Sequence, residues 1–181
     1  MTDALTFTVH GAAQPAGSKR AFKHARTGAV IVTDANKKSR PWKQEVRAVA
    51  ATAMLSHGHT NGGVLVDGPL RVDMTFYVPR PKGHYGVKGL RPSAPVYPTT
   101  RPDVLKLARG VEDALTGVVY RDDAQIVVES LRKQYGEPAR VEVVVTPLDD
   151  GDADPVLPEA YPSMAALQRE ARTGVREYVK P

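Results

Sequence analysis

The sequence contains no cysteine. That excludes a disulfide-stapled scaffold, a cysteine nucleophile and every cysteine-based zinc site. No apolar run approaches the roughly 18 residues that a membrane span needs. The opening Met1-Thr2-Asp3-Ala4 lacks the basic-then-apolar pattern of a secretory signal, and the expectation is a soluble cytoplasmic protein with no membrane partner. No G-x-S-x-G marks a hydrolase elbow. Gly11 and Gly17-Ser18-Lys19 lack the order and spacing of a phosphate-binding loop. Asp150-Gly151-Asp152-Ala153-Asp154 looks calcium-like, but Pro155 and Tyr161 stand where the loop needs Gly and Glu. His57 and His59 have no third ligand nearby and read as loop residues.

What is present is an uneven charge. Residues 1–101 hold 15 Lys/Arg against 5 Asp/Glu, whereas residues 102–181 hold 10 against 15. The front of the chain offers a surface for a polyanion, and the back gathers carboxylates. A metal-dependent nuclease needs both, although a merely basic surface explains the charge alone equally well. At 181 residues the chain suits one domain with a tail. We assign residues 1–148 to the domain. Residues 149–181 form an acidic, proline-rich linker and a short helix capped by Ser163.

Alternation predicts strands over residues 4–10, 29–33, 70–78, 125–135 and 141–145, the last two as a hairpin. Residues 11–28 read as a loop. A helix is expected from Pro41-Trp42 to about Leu55, with Trp42, Val46, Val49, Ala53 and Leu55 on its apolar stripe. Residues 79–101 form a long proline-rich loop with five Lys/Arg and no Asp/Glu, a length that is usually functional or mobile. A second helix runs from Asp103 to Thr116 and ends at Gly117. At 100° per residue, Val104, Leu107, Ala108, Val111 and Leu115 share its core face, and Lys106, Arg109, Glu112 and Asp113 lie opposite. A short strand, Val118 to Tyr120, then leads to Asp122-Asp123. A helix start and a strand end can thus bring carboxylates together, and Mg²⁺, which keeps several waters, needs only two or three. Taken singly, Asp103 is an ordinary helix N-cap and Asp122-Asp123 an ordinary turn.

The run Arg101 to Ile126 resembles the signature of the RusA family of Holliday junction resolvases. Pro102-Asp103, Leu107, Arg109, Asp113-Ala114-Leu115, Gly117 and Asp122-Asp123-Ala124-Gln125-Ile126 match it in order and spacing. Lys133 and the basic stretch at Ser18-Lys19-Arg20 agree with it, and the resemblance covers about residues 5–147. It implies a small mixed α/β (α+β) fold, with a mixed sheet and packed helices. It also implies a homodimer and Mg²⁺-dependent cleavage of four-way DNA junctions by paired nicks, with Mn²⁺ a possible substitute, in the recombination or repair of a bacterium or phage. By the same resemblance Asp103 and Asp123 are metal-binding carboxylates, Asp122 lies beside them, and Arg109 takes the place of a functional lysine.

One departure matters. Leu105 stands where the family has its second aspartate, and Lys106 where it has asparagine. Three readings stand side by side: an inactive protein that binds branched DNA without cutting, a missing oxygen supplied by Asp122 or Asp113, or one supplied by Glu112. Glu112 is the favoured replacement. It lies about 20° from Leu105 around an ideal helix and about 10.5 Å along it, a gap that N-terminally leaning side chains shorten. A surface pair with Arg109 is the alternative for Glu112, and a salt bridge to Asp113 for Arg109. Three basic segments are candidate phosphate contacts: Lys19, Arg20, Lys23 and Arg26; Lys37, Lys38 and Arg40; and Arg80, Lys82, Lys88 and Arg91. Lys133 joins them as a DNA-binding candidate. Trp42 reads as core, Met74 and Phe76 as inward or dimer-facing, and Gln125 as a residue on the side of Asp123 that either orients a water or is structural.

Overall fold

The computed structural model describes residues 4–17, 19–34, 36–56 and 66–148, all within the unit Met1–Leu148. Ser18, His57, His59 and the linker and helix expected beyond residue 148 lie outside the described residues. The elements, in order, are β1 (Leu5–His10), β2 (Lys19–Lys23), β3 (Val30–Asp34), α1 (Ser39–Ser56), β4 (Leu70–Val78), β5 (Tyr85–Gly86), β6 (Gly89–Leu90), α2 (Val104–Leu115), β7 (Ile126–Tyr135) and β8 (Arg140–Pro147). The class is mixed α+β: among the described residues there are a four-stranded mixed sheet ordered β1-β8-β4-β7, two small hairpins and two helices. Neither helix is long and apolar enough to cross a membrane.

Strand register explains where the core sits. Three rows cross the helix-facing side: Leu5–Val145–Val72–Glu129, Phe7–Val143–Met74–Leu131 and Val9–Val141–Phe76–Lys133. Everything in these rows is apolar until the edge strand β7, where Glu129 and Lys133 flank Leu131. Trp42, Val46, Ala50 and Met54 of α1 and Leu107, Ala108, Val111, Ala114 and Leu115 of α2 close this face as one core. Met74 and Phe76 therefore point inward. β4 and β7 are parallel, so the chain needs a crossover between them, and α2 lies on it.

Several local expectations are corrected. Residues 19–23, expected as loop, form β2 and pair with β3. Leu55 leaves the helix stripe and is exposed, while Ala50 and Met54 are buried instead. Val118–Tyr120 is not a strand; its backbone makes only isolated bridges. The long loop contains a 3-10 turn at Lys82–His84 and the β5–β6 hairpin.

The largest correction concerns β7 and β8, which do not form a hairpin. β4 lies between them, parallel to one and antiparallel to the other. Their short connection crosses the end of β4, where Gly136 donates its amide to Val78 O at 3.0 Å. A Cβ at Gly136 would lie 2.5 Å from Tyr77 Cδ1, so any other residue forces the Tyr77 side chain to shift. A short turn between two alternating segments looks like a hairpin in sequence, because the intervening partner is nonlocal.

Candidate active site

The site is built on the crossover. Between Leu70 and Arg71 the β4–β7 register slips by one residue, leaving Val127 unpaired: Leu70 faces Ile126, but Arg71 faces Val128. A bulge reverses the in-out alternation beyond it. Unbroken alternation from inward Ile126 would turn Glu129 away from α2; the slip turns it toward α2, with Leu131 and Lys133. Sequence reasoning missed Glu129 for this reason. Its signal was a lone acid in an apolar strand, which simple alternation assigns to the other face.

Opposite Glu129, α2 presents Glu112, on the side expected to be fully solvent-facing. Glu112 is half-buried, and its carboxyl hydrogen-bonds that of Glu129. Burial, this hydrogen bond and the charges of Glu129, Asp123 and Asp113 push Glu112 up to about 8. Two carboxylates in contact cannot both ionise cheaply, so Glu112 retains its proton near neutrality. Buried Tyr120 donates to Glu112 O at 3.3 Å and pins this turn of α2. Burial, then the charge of Glu112, pushes the tyrosine hydroxyl up, so it stays neutral.

Asp123 reaches the cluster from a 3-10 turn, Asp123–Gln125, that its neighbours fasten. Asp122 Oδ1 accepts from Ala124 N at 2.9 Å. Gln125 Oε1 accepts from Arg121 N at 2.9 Å, and its Nε2 donates to Val66 O and Gly68 O. Of the adjacent aspartates, Asp122 is thus occupied as a cap and Asp123 is the one whose charge acts on Glu112. Gln125 is structural; it sits in this turn rather than on an alternating strand. Asp113 is taken by Lys43 of α1, 2.7 Å away.

Asp103 occupies a different neighbourhood. It flanks the start of α2, nine residues before Glu112, or about 13.5 Å along a helix axis. Its side chain makes no cap hydrogen bond; it pairs with Lys106 at 3.1 Å. Lys106, by hydrogen bond and charge, holds this carboxyl below its ordinary range, aided by Arg101 and Lys133. Lys133 Nζ donates to Thr100 O at 2.8 Å and to Pro102 O at 2.9 Å, clamping the segment that delivers Asp103. Beside it lies a cleft of about 660 Å³ lined by Pro15, Asn36, Tyr77, Pro79, Arg101 and Lys106, among others. Leu105 is 68 % exposed on the first turn of α2. Arg109 is exposed and joins no ion pair among the described residues; neither Glu112 nor Asp113 is its partner.

The other basic candidates are spread over several elements. Lys19, Arg20 and Lys23 lie on β2 and Arg26 in the following turn; Lys37 and Lys38 immediately precede α1, whose second residue is Arg40. Arg80 stacks over Tyr135 at 4.0 Å, and Lys82 opens the 3-10 turn before β5.

Two comparisons bear on this arrangement. The chain is 34 % identical over 146 residues to the uncharacterized protein YqaN of Bacillus subtilis (strain 168), covering 79 % of this chain and 96 % of that protein. The profile of the family described as Endodeoxyribonuclease RusA matches residues 12–146, which span both ends of α2, the Asp122-Asp123 turn and all of β7. The chain belongs to the RusA endodeoxyribonuclease family.

Proposed function

We propose that this protein is a divalent-metal-dependent endodeoxyribonuclease that resolves Holliday junctions or related branched DNA by paired nicks. The observation that carries the reading is the Glu112–Glu129 carboxyl pair with Asp123 beside it. A half-buried Glu112 against the exposed carboxylate of Glu129 is unfavourable as two negative charges and is relieved by a hard cation. The donors are all oxygen, as Mg²⁺ or Mn²⁺ requires. Among the described residues no group of three or more acidic or histidine side chains stands as a ready ligand set; Glu112 and Glu129 would hold the ion, and Mg²⁺ commonly keeps several waters. Such an ion would supply an activated water and neutralise charge on the leaving oxygen.

The chain's own residues do the rest. Glu112 and Glu129 would hold the cation, Glu112 giving up its proton as the ion binds, and Asp123 would add negative charge. Lys133 fixes residues 100–102 so that Asp103 and Arg101 stand at the cleft. Arg109, unpaired on the surface of α2, meets a backbone phosphate. Lys23, Arg26, Lys37, Lys38 and Lys82, with Lys19 and Arg20, give affinity that follows charge and shape rather than sequence. Paired nicks need two such sites, hence a homodimer, acting in the cytoplasm of a bacterial or phage-infected cell.

The test is cleavage of a labelled four-way junction with a mobile core across a Mg²⁺ and Mn²⁺ titration, with matched duplex and Asp103→Asn as controls. Symmetric nicks in the junction alone, lost in the variant, are expected. A second reading is supported by Leu105, an exposed leucine where the resemblance implies a metal-binding aspartate. It makes the protein a binder of branched DNA that does not cut. Tight junction binding without nicks at any metal concentration selects it.

A further inference from the structure

The β5–β6 hairpin carries an apolar tip that the core does not use. Tyr85 and Leu90 face each other across its stem, both about half exposed, and Gly86 pairs with Gly89. Val87, between the glycines, is fully exposed. The paired glycines carry no side chains, and Gly89 has φ +103, so the turn is narrow and only Val87 and Lys88 project from it. The hairpin is held at its base. Arg91 N donates to His84 O at 2.9 Å and Arg91 Nε to Tyr85 O at 3.2 Å. His84 packs edge-on against Tyr135 of β7 with ring centres 5.6 Å apart, and Arg80 covers the same ring while donating to Pro95 O at 2.7 Å. The strand that anchors it also carries Glu129 and Lys133, so the tip is fixed relative to the candidate site.

Tyr85, Val87 and Leu90 group three exposed apolar side chains on one hairpin, and grouped apolar exposure marks a contact surface. Its surroundings identify the partner: residues 79–101 contain five Lys/Arg and no Asp/Glu. A partner negative outside and apolar inside is stacked nucleic acid, and apolar side chains flanked by cations unstack base steps. We propose that Val87 is a wedge that enters the base stack at the branch point, with Lys82, Lys88 and Arg91 on the flanking phosphates. This rests on the branched-DNA reading and adds to it how the open centre of the substrate is held.

The test uses the full chain with EDTA present, so that the strands stay intact, and a four-way junction carrying 2-aminopurine beside the branch. Wild type is expected to raise the probe's fluorescence severalfold over free junction. Val87→Ser is expected to bind within about threefold of wild-type affinity, since phosphate contacts supply the affinity, yet to lose most of that rise; Val87→Leu keeps it. An unchanged rise in Val87→Ser overturns the wedge and leaves the branched-DNA reading intact. A wild type without preference for junction over equal-length duplex overturns both. A changed oligomeric state in Val87→Ser assigns the tip to protein contact and overturns the wedge. The exposed tip packs on no core residue, so unchanged circular dichroism confirms that the variants fold.

Discussion

Glu112 of α2 and Glu129 of β7 meet carboxyl to carboxyl, and burial of Glu112, with this hydrogen bond and the neighbouring charges, pushes Glu112 up to about 8. The contact exists because a one-residue slip at Val127 turns Glu129 toward the helix. An acid held in its neutral form by its neighbours is a common mark of a functional site.

The first consequence is a pH dependence of stability. Glu112 titrates near its ordinary 4.5 when unfolded and near 8 when folded. Between those values the folded state binds more protons, so metal-free stability falls as pH rises through this window and levels off above it. Glu112→Gln mimics the neutral acid and removes the slope. At pH 8 it is expected to melt about 2–4 °C above wild type, after allowing for screening of a half-exposed group. Mg²⁺ is expected to raise the wild-type melting temperature at pH 8 and to leave the variant unmoved. Calorimetry in EDTA and in Mg²⁺ measures both; a variant as pH-sensitive as wild type contradicts the assignment.

The two adjacent aspartates separate by role. Asp122→Asn keeps an acceptor for Ala124 N and is expected to retain nicking, whereas Asp122→Ala loses the cap and about 1 kcal/mol of stability. Asp123→Asn is expected to abolish nicking while melting normally. Unfolding curves and junction cleavage on the three variants decide it; the reverse pattern assigns the metal to Asp122.

Lys133 faces two carbonyls rather than solvent. Lys133→Met is expected to cost about 1–3 kcal/mol, the range for hydrogen bonds to a charged group and the acceptors it leaves behind. It should slow nicking and leave the salt dependence of junction binding unchanged. A fall of about one in the slope of log affinity against log salt makes Lys133 a phosphate contact instead.

Gly136 tests the crossing of the chain over β4. Gly136→Ala places a methyl against Tyr77 and is expected to cost about 1–3 kcal/mol. Tyr77→Ala costs its own contacts, the Arg140 guanidinium at 3.5 Å and Glu142 Oε2 at 3.0 Å. In the double variant the glycine's cost should largely vanish, a coupling that a double-mutant cycle in urea measures.

The parts legible in sequence were those with a local period. β4 alternates without a break, and the core face of α2 emerges at 100° per residue down to Ala108 and Val111. The Asp122-Asp123 pair and Asp103 could be singled out from spacing and resemblance. What escaped depends on nonlocal partners. Lys19–Lys23 is too polar to announce a strand, and only pairing with β3 makes it one. Val127 looks like any strand valine, yet the unpaired residue there decides which face receives Glu129. β7 and β8 alternate as a hairpin would, and only a glycine at Tyr77 hints that β4 lies between them. Helical spacing from Leu105 points to Glu112, but its partner Glu129 lies beyond any helical argument.

The most direct measurement is single-turnover nicking of a four-way junction at saturating Mg²⁺ by wild type and by Glu112→Gln, at matched fractions of bound junction. Loss of one carboxylate that holds the metal is expected to slow nicking at least about 100-fold, as for a group that stabilises developing charge, with junction affinity unchanged. Equal rates would contradict the assignment of the metal to the Glu112–Glu129 pair and return the missing oxygen to Asp122 or Asp113.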